Sequence, residues 1–146
     1  MKAYCDTSFL VSLYTPDANS APAARQCSRT RGALLITPLC ELEVTNALQL
    51  RLFRKELTAR EVAAAGEAYR NDLAAGLYSS HPVSAAVFEK ASQLSRKHTA
   101  RLGCRSLDIL HVAAALVARA SILYTFDENQ KKLAAAEGLR TAPQPA

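Results

Sequence analysis

The sequence predicts an α/β fold in which a mainly parallel sheet is covered by helices on both faces. Short apolar segments typical of buried strands alternate along the chain with longer segments of helical periodicity. Strands that alternate with helices imply crossover connections, and such connections place neighbouring strands parallel. The chain has 146 residues, a length that suits one domain with a buried core and is too short for two.

Four short apolar segments are the strand candidates, at residues 3–5, 34–36 and 122–124 and around Leu77 and Tyr78. Helical patterns lie between them, at roughly residues 21–30, 39–53, 59–75, 85–98, 107–119 and 129–137.

Capping signals support several of these helices. Thr37 precedes a proline at the start of the second helix, and Thr58 is followed three residues later by Glu61, the pattern of a capping box. Gly138 follows the last helix, where a C-terminal glycine is common. We therefore predict a single domain over residues 1–141 and a short C-terminal tail over residues 142–146.

Composition excludes some classes of protein. No apolar run approaches the roughly 20 residues of a membrane-spanning helix, and the N-terminal residues lack the pattern of a signal peptide. Cysteines without paired spacing are typical of reduced thiols in the cytosol. The four cysteines are Cys5, Cys27, Cys40 and Cys104. We therefore expect a cytoplasmic protein that does not contact a membrane.

The net charge of +5 favours a polyanionic partner, because contacts with phosphates release counterions and give affinity that does not depend on base sequence. Basic residues are concentrated in two segments of the chain. These are Arg51, Arg54 and Lys55, and then Arg96, Lys97, Arg101 and Arg105.

Two aspartates follow predicted strands directly or within three residues. Asp6 comes immediately after the first strand, and Asp127 comes shortly after the strand at 122–124. Because ligands bind beyond the carboxyl ends of parallel strands, both side chains are expected at the same edge of the sheet. Each aspartate, taken singly, is better explained as the cap of the following helix.

Two further carboxylates lie within apolar helical segments. The helical face of Asp108 continues through Val112 and Ala115, so its carboxylate needs a cation, a hydrogen-bond donor or a raised pKa. The second is a glutamate, and the pattern of apolar residues does not choose between Glu41 and Glu43.

Carboxylates gathered at one edge of a sheet would repel each other, and a bound Mg²⁺ or Mn²⁺ would remove that repulsion. Zinc is disfavoured, since the three histidines are far apart in the sequence and lack the spacing of zinc ligands. A haloacid-dehalogenase-like phosphatase is also disfavoured, because that family has a second aspartate where Ser8 stands here.

Four segments resemble the motifs of PIN-domain nucleases, and in size and motif layout the chain resembles VapC-type toxins. The segments are residues 6–8, 43–48, 106–111 and 125–127, which occur in the right order over almost the whole chain. The resemblance implies a three-layer α/β/α sandwich with a mainly parallel central sheet. It also selects Glu43 over Glu41, because the acidic residue of this family stands three positions before the asparagine that matches Asn46.

By this resemblance the catalytic residues are Asp6, Glu43, Asp108 and Asp127, with Asp6, Asp108 and Asp127 as ligands of Mg²⁺, for which Mn²⁺ is a substitute. Ser8, Asn46 and Thr125 match supporting positions. His111 matches a frequent family residue, which we interpret as a hydrogen-bonded histidine of the core.

The implied function is a Mg²⁺-dependent endoribonuclease that cleaves single-stranded or structured RNA as the toxin of a toxin–antitoxin pair. A cognate antitoxin protein and a homodimer are the implied partners, and the apolar helix at residues 39–53 offers a surface for the dimer. Two alternatives remain open: a PIN nuclease that acts in RNA processing outside a toxin system, and an RNA-binding module without catalysis.

Overall fold

The computed structural model describes residues 1–145 and consists of one five-stranded sheet with helices packed around it. Ala146, the last residue of the predicted tail, lies outside the described residues. The strands are β1 (Ala3–Cys5), β2 (Leu34–Ile36), β3 (Tyr78–Ser80), β4 (Ile122–Tyr124) and β5 (Arg140–Ala142). The helices are α1 (Thr7–Tyr14), α2 (Ser20–Ser28), α3 (Pro38–Phe53), α4 (Ala59–Ala74), α5 (Ala85–Leu94), α6 (Ala100–Leu102), α7 (Ser106–Val117) and α8 (Glu128–Ala136), and a π-helical turn, Ser95–Thr99, lies between α5 and α6.

The sheet has the strand order β3-β2-β1-β4-β5, and all neighbouring strands are parallel. The central strand β1 pairs with β2 through Tyr4 and Leu35 and with β4 through Tyr4 and Leu123. All three residues of β1, β2 and β4 are buried, as expected for parallel strands covered on both faces. The predicted parallel α/β fold is confirmed.

Two groups of helices form the outer layers of the α/β/α sandwich. In one group, α1 packs against α2, α3 and α4; in the other, α7 packs against α5 and α8. The chain runs from β1 to β2 on one side of the sheet and later returns to β4 on the other side of β1. The strand order therefore reverses between β1 and β4, which is where ligands bind in open α/β sheets.

Helix α1 and strand β5 were not predicted by the apolar pattern. Helix α1 begins shortly after β1 and has eight residues, about two helical turns. This is too short for a clear helical periodicity in the sequence. Strand β5 is short and polar, lies at the edge of the sheet and pairs with β4. Its residues 140–142 span the predicted boundary between domain and tail.

The predicted helix at 85–98 is interrupted. Helix α5 ends at Leu94, the π-helical turn follows, and α6 ends at Gly103, which has a φ of +67°. Thr58 caps α4 by accepting a hydrogen bond from the Glu61 amide, as predicted. Thr37 precedes α3 as predicted, but its side chain makes no capping hydrogen bond.

None of the helices within residues 1–145 combines the length and the apolar character needed to cross a membrane.

Candidate active site

Two aspartates lie at the carboxyl ends of the adjacent strands β1 and β4, and each one begins the helix that follows. Asp6 precedes α1 and accepts a hydrogen bond from the Phe9 amide at 2.9 Å. Asp127 precedes α8 and accepts one from the Gln130 amide, also at 2.9 Å. The capping interpretation of both residues is therefore correct, and the same geometry fixes both carboxylates at one edge of the sheet.

Asp6 is completely buried and depends on hydroxyl donors from two elements. Ser8 donates to Oδ1 at 2.7 Å, and Thr125 donates to Oδ2 at 2.6 Å. Burial raises the pKa of the Asp6 carboxyl, and the hydrogen bond from Thr125 opposes this rise without cancelling it. The structure thus holds an ionisable group in an environment that penalises its charge, and it compensates with donors.

Thr125 connects the two aspartates. Its hydroxyl donates to Asp6 and accepts a hydrogen bond from the Asp127 amide at 2.9 Å. Ser8 makes a parallel link, because its hydroxyl donates to Asp6 and accepts from the Phe126 amide at 2.9 Å. These two hydroxyls therefore set the position of the loop between β4 and α8 relative to β1.

Asp108 lies in the first turn of α7 and is nearly buried. Arg105 Nε donates to Asp108 Oδ2 at 3.2 Å, and Gln130 Nε2 donates to Oδ1 at 3.3 Å. A second nitrogen of Arg105, Nη2, lies 3.9 Å from Asp127 Oδ2. Arg105 therefore bridges Asp108 and Asp127, although its own side chain is 72% exposed.

Glu43 projects from α3 toward α1 and α7. Its Oε1 accepts a hydrogen bond from Thr7 at 2.8 Å and pairs with His111 Nε2, which comes from a position 68 residues away. Within residues 1–145, no donor is hydrogen-bonded to Oε2. Burial would raise the pKa of the Glu43 carboxyl, but the hydrogen bond and charge of His111 lower it overall.

His111 is buried and has partners for both ring nitrogens. Besides Glu43 at Nε2, the Tyr4 hydroxyl lies 2.9 Å from Nδ1. Burial would lower the pKa of the imidazole, but the neighbouring Cys40 and Glu43 side chains raise it to about 10. The pair of His111 and Glu43 is therefore ionic at neutral pH and joins α7 to α3, and Tyr4 connects it to β1.

The comparison with protein families matches this chain to the PIN domain over residues 3–136. The chain belongs to the PIN domain family.

The fold of this PIN domain also occurs in solved structures of toxins. The VapC20 toxin of Mycobacterium tuberculosis, described as cleaving the sarcin–ricin loop, is 21% identical with a TM-score of 0.70, covering 92% of this chain and 95% of that one. A toxin–antitoxin complex from Klebsiella pneumoniae is 16% identical with a TM-score of 0.69, and the match covers 99% of this chain and 100% of that one. VapBC2 of Rickettsia felis, bound to a DNA fragment from its promoter, is 15% identical with a TM-score of 0.65, and the match covers 97% of this chain and 98% of that one. At these identities the likenesses establish the fold. No curated protein matches the chain significantly in sequence.

All four predicted carboxylates of this PIN domain lie at the carboxyl edge of the sheet, where hydrogen bonds link three of them and Thr7 connects the fourth. Thr125 joins Asp6 to Asp127, Gln130 joins Asp127 to Asp108, and Thr7, next to Asp6 in the chain, binds Glu43. Their roles in catalysis and metal binding stay predictions.

The supporting residues and the competing glutamate lie as follows. Ser8 and Thr125 hydrogen-bond Asp6, whereas Asn46 is exposed and lines a groove beside Glu43. Glu41 makes no side-chain hydrogen bond or ion pair within the described residues, in contrast to Glu43.

The donor set fits a hard divalent cation in its chemistry. The part of the sheet edge that holds Asp6, Glu43, Asp108 and Asp127, here called the acidic edge, offers carboxylate oxygens, which Mg²⁺ and Mn²⁺ prefer. The buried Gln130 Oε1 beside Asp108 has no hydrogen-bond partner among the described residues. As the side chains stand in residues 1–145, no three His, Cys, Asp or Glu residues converge closely enough to hold a metal ion. A cation bound here would have to draw the carboxylates of Asp108 and Asp127 away from Arg105.

Sequence reasoning did not single out three residues of this edge: Thr7, Gln130 and Tyr4. Arg105 appeared only as one member of a basic segment. Gln130 and Arg105 had a local signal in the sequence, since Gln130 stands three positions after the capping Asp127 and Arg105 stands three positions before Asp108. The contacts of Thr7 and Tyr4 join distant parts of the chain and had none.

Proposed function

We propose that this protein is a metal-dependent endoribonuclease and the toxin of a toxin–antitoxin pair. The observation that supports this most directly is the linked set of four carboxylates at the point where the strand order reverses. Burial raises the pKa of the Asp6 carboxyl, so keeping an ionisable side chain at this position costs free energy, and a perturbed carboxyl in such a place is typical of a functional site.

Asp6, Asp108 and Asp127 would hold Mg²⁺, for which Mn²⁺ is a substitute. When bound, the cation supplies a Lewis acid that polarises a phosphodiester and lowers the pKa of water at the site. Ser8 and Thr125 contribute by fixing the Asp6 carboxylate through hydrogen bonds of 2.7 and 2.6 Å. Fixed donors of this kind reduce the reorganisation needed during the reaction.

Glu43 has a distinct role in this proposal. His111 and Thr7 hold Oε1, so Oε2 is left to accept a hydrogen bond from the attacking water and orient it in line with the leaving oxygen. The water oxygen forms a bond to phosphorus while the bond to the leaving oxygen breaks, and a proton from the water ends on that leaving oxygen.

The substrate class follows from charge and from the family. The protein has a net charge of +5. Its basic residues would bind the phosphates on either side of the cleaved bond, which itself lies at the acidic edge. Exposed candidates include Arg54, Lys55 and Arg96. Single-stranded RNA, or a loop of structured RNA, presents unstacked bases next to those phosphates.

An antitoxin protein as partner is supported by the toxin–antitoxin complexes that share this fold. A guanidinium from the antitoxin would bind the carboxylates as a bidentate ion pair. Expression of this chain alone should arrest growth, and co-expression of the product of an adjacent short gene should relieve the arrest and yield a complex. Harmless expression of an active nuclease would instead favour a role in RNA processing.

Incubation of the purified protein with total cellular RNA tests the activity itself. New RNA ends, mapped by sequencing, should appear with Mg²⁺ or Mn²⁺ and disappear with a chelator. Asp108→Asn should abolish cleavage while the far-ultraviolet circular dichroism stays unchanged, because it removes one carboxylate from the site. Glu67→Gln, an exposed change on α4, is the matched control and should leave cleavage intact. Full activity of Asp108→Asn, or cleavage that survives the chelator, would contradict the proposal.

A further inference from the structure

Arg105 places a positive charge between two of the acidic residues of the site. Its Nε lies 3.2 Å from Asp108 Oδ2 and its Nη2 lies 3.9 Å from Asp127 Oδ2. A guanidinium has five N–H donors in a planar fork, and these two contacts engage only part of that fork. The side chain is 72% exposed, so the remaining donors are accessible to a ligand.

The two carboxylates are held more firmly than the guanidinium that bridges them. Asp127 is fixed by its cap to the Gln130 amide, and Asp108 lies at the start of α7 with the Gln130 side chain beside it. Arg105, by contrast, has its charged group in solvent, where water screens an ion pair and makes it weak. The guanidinium can therefore leave the carboxylates more easily than the carboxylates can leave their other donors.

We propose that Arg105 is an exchangeable cation of this site, which binds Asp108 and Asp127 until a divalent cation takes their oxygens and then binds a phosphate of the substrate. The inference rests on the proposed nuclease function for the phosphate, but the exchange at the carboxylates does not depend on it.

The reason for the exchange is competition for the same atoms. Oδ2 of Asp108 and Oδ2 of Asp127 contact the guanidinium, and a divalent cation held by these residues would need oxygens of the same two carboxylates. A positive charge at this distance also repels the incoming cation. Loading of the site would thus free a residue suited to bidentate contact with phosphate, next to where the phosphodiester reacts.

Arg105→Ala gives the direct test in the full-length protein. Titration calorimetry with Mn²⁺ should show binding at least about threefold tighter than in the wild type, because a competing cation has been removed. Fluorescence anisotropy with a labelled 12-nucleotide oligouridine, in the presence of Ca²⁺ to limit cleavage, should show weaker binding. The slope of log affinity against log salt should fall by about 0.7, the value for one lost phosphate contact to a single strand.

Arg105→Lys and Arg25→Ala are the companion variants. Lysine keeps the charge but lacks the fork, so the metal affinity should stay near that of the wild type while the RNA affinity falls. Arg25 is exposed on α2, and its loss removes the same charge without touching the acidic edge, so Mn²⁺ affinity should not change.

Three results would overturn the inference: a wild-type protein that binds no Mn²⁺, an Arg105→Ala variant that binds it no more tightly, or an unchanged salt slope for RNA. Failure of the nuclease proposal is a separate result. If the wild type cuts no RNA while Arg105→Ala still tightens Mn²⁺ binding, the exchange at the carboxylates stands and the enzyme assignment falls.

Discussion

Glu43 is the acidic residue whose immediate surroundings best define a single role. Thr7 and His111 hold one oxygen of its carboxylate, and Tyr4 holds the far side of the imidazole at 2.9 Å. A carboxylate fixed through one oxygen keeps its second oxygen in a constant direction. The lowered pKa of Glu43 and the raised pKa of His111 keep this pair charged across the neutral range.

We predict that Glu43→Gln lowers the rate of RNA cleavage at least tenfold, about 1.4 kcal/mol in the barrier. The amide of glutamine is uncharged, so His111 loses its ionic partner. Glu41→Gln, only two positions earlier on α3, is the matched control and should stay within a few-fold of the wild-type rate. Initial rates at a mapped cleavage site measure both. If Glu41→Gln were the damaging change, the assignment of Glu43 to the site would be wrong.

Among the elements, the π-helical turn at Ser95–Thr99 is tied to the end of α8 by a cluster around Glu137. His98 Nε2 lies 2.6 Å from Glu137 Oε2, and Lys97 Nζ donates to the same oxygen at 3.1 Å. His98 is buried on the π-helical turn, so this contact packs the turn against the C-terminal end of α8, the helix that Asp127 caps. The cluster therefore stabilises an element that starts in the acidic edge.

The stability that Glu137 provides should depend on pH. The hydrogen bond from His98 lowers the pKa of the Glu137 carboxyl below its value in the unfolded chain. Its contribution to the free energy of unfolding is therefore present above about pH 4.3, the unfolded value, and is lost as the pH falls through the folded value.

We predict that Glu137→Gln lowers the melting temperature at pH 7 and that this difference shrinks in acid below the pKa of the folded state. Thermal unfolding followed by circular dichroism between pH 3 and pH 7 measures it. Glu89→Gln, an exposed change on α5, should have little effect at any pH. An equal loss of stability by Glu137→Gln at pH 7 and at pH 3 would show that the ionic contact is not the cause.

For the whole molecule, helix α3 presents an apolar surface next to the acidic edge. Leu42 is 67% exposed and Phe53 is 82% exposed. A groove of about 430 Å³ runs beside Glu43, lined largely by leucines of α3 together with Leu107. Apolar surface of this kind is typical of a protein–protein interface, and we propose that it contributes to a homodimer.

We predict that light scattering at micromolar concentration gives the mass of a dimer for the wild type. Phe53→Ser should shift the mass toward the monomer, since it removes the single aromatic side chain of α3, which is 82% exposed, from the interface. Phe88→Ser, at a 55% exposed phenylalanine of α5, is the matched control and should leave the dimer intact. A monomeric wild type, or a dimer unaffected by Phe53→Ser, would exclude this interface.

Several features followed from short stretches of sequence. The buried strands are short apolar runs, and the apolar pattern located four of the five. Asp6 and Asp127 could be placed because an aspartate after a parallel strand is fixed twice, by the strand that ends before it and by the helix that it caps. Local chemistry sufficed in these cases, since each signal lies within a few residues.

Long-range packing determined the remaining features. Helical periodicity left Glu41 and Glu43 equivalent, and Glu43 is distinguished in the structure by His111, 68 residues away. Strand β5 is polar and forms because β4 offers it an edge, a tertiary context that overrides weak strand propensity. The bridge from Arg105 to Asp127 likewise requires the starts of α7 and α8 to meet. Contacts between distant segments depend on how the layers pack, and a periodic pattern reports only the face that a residue occupies on its own element.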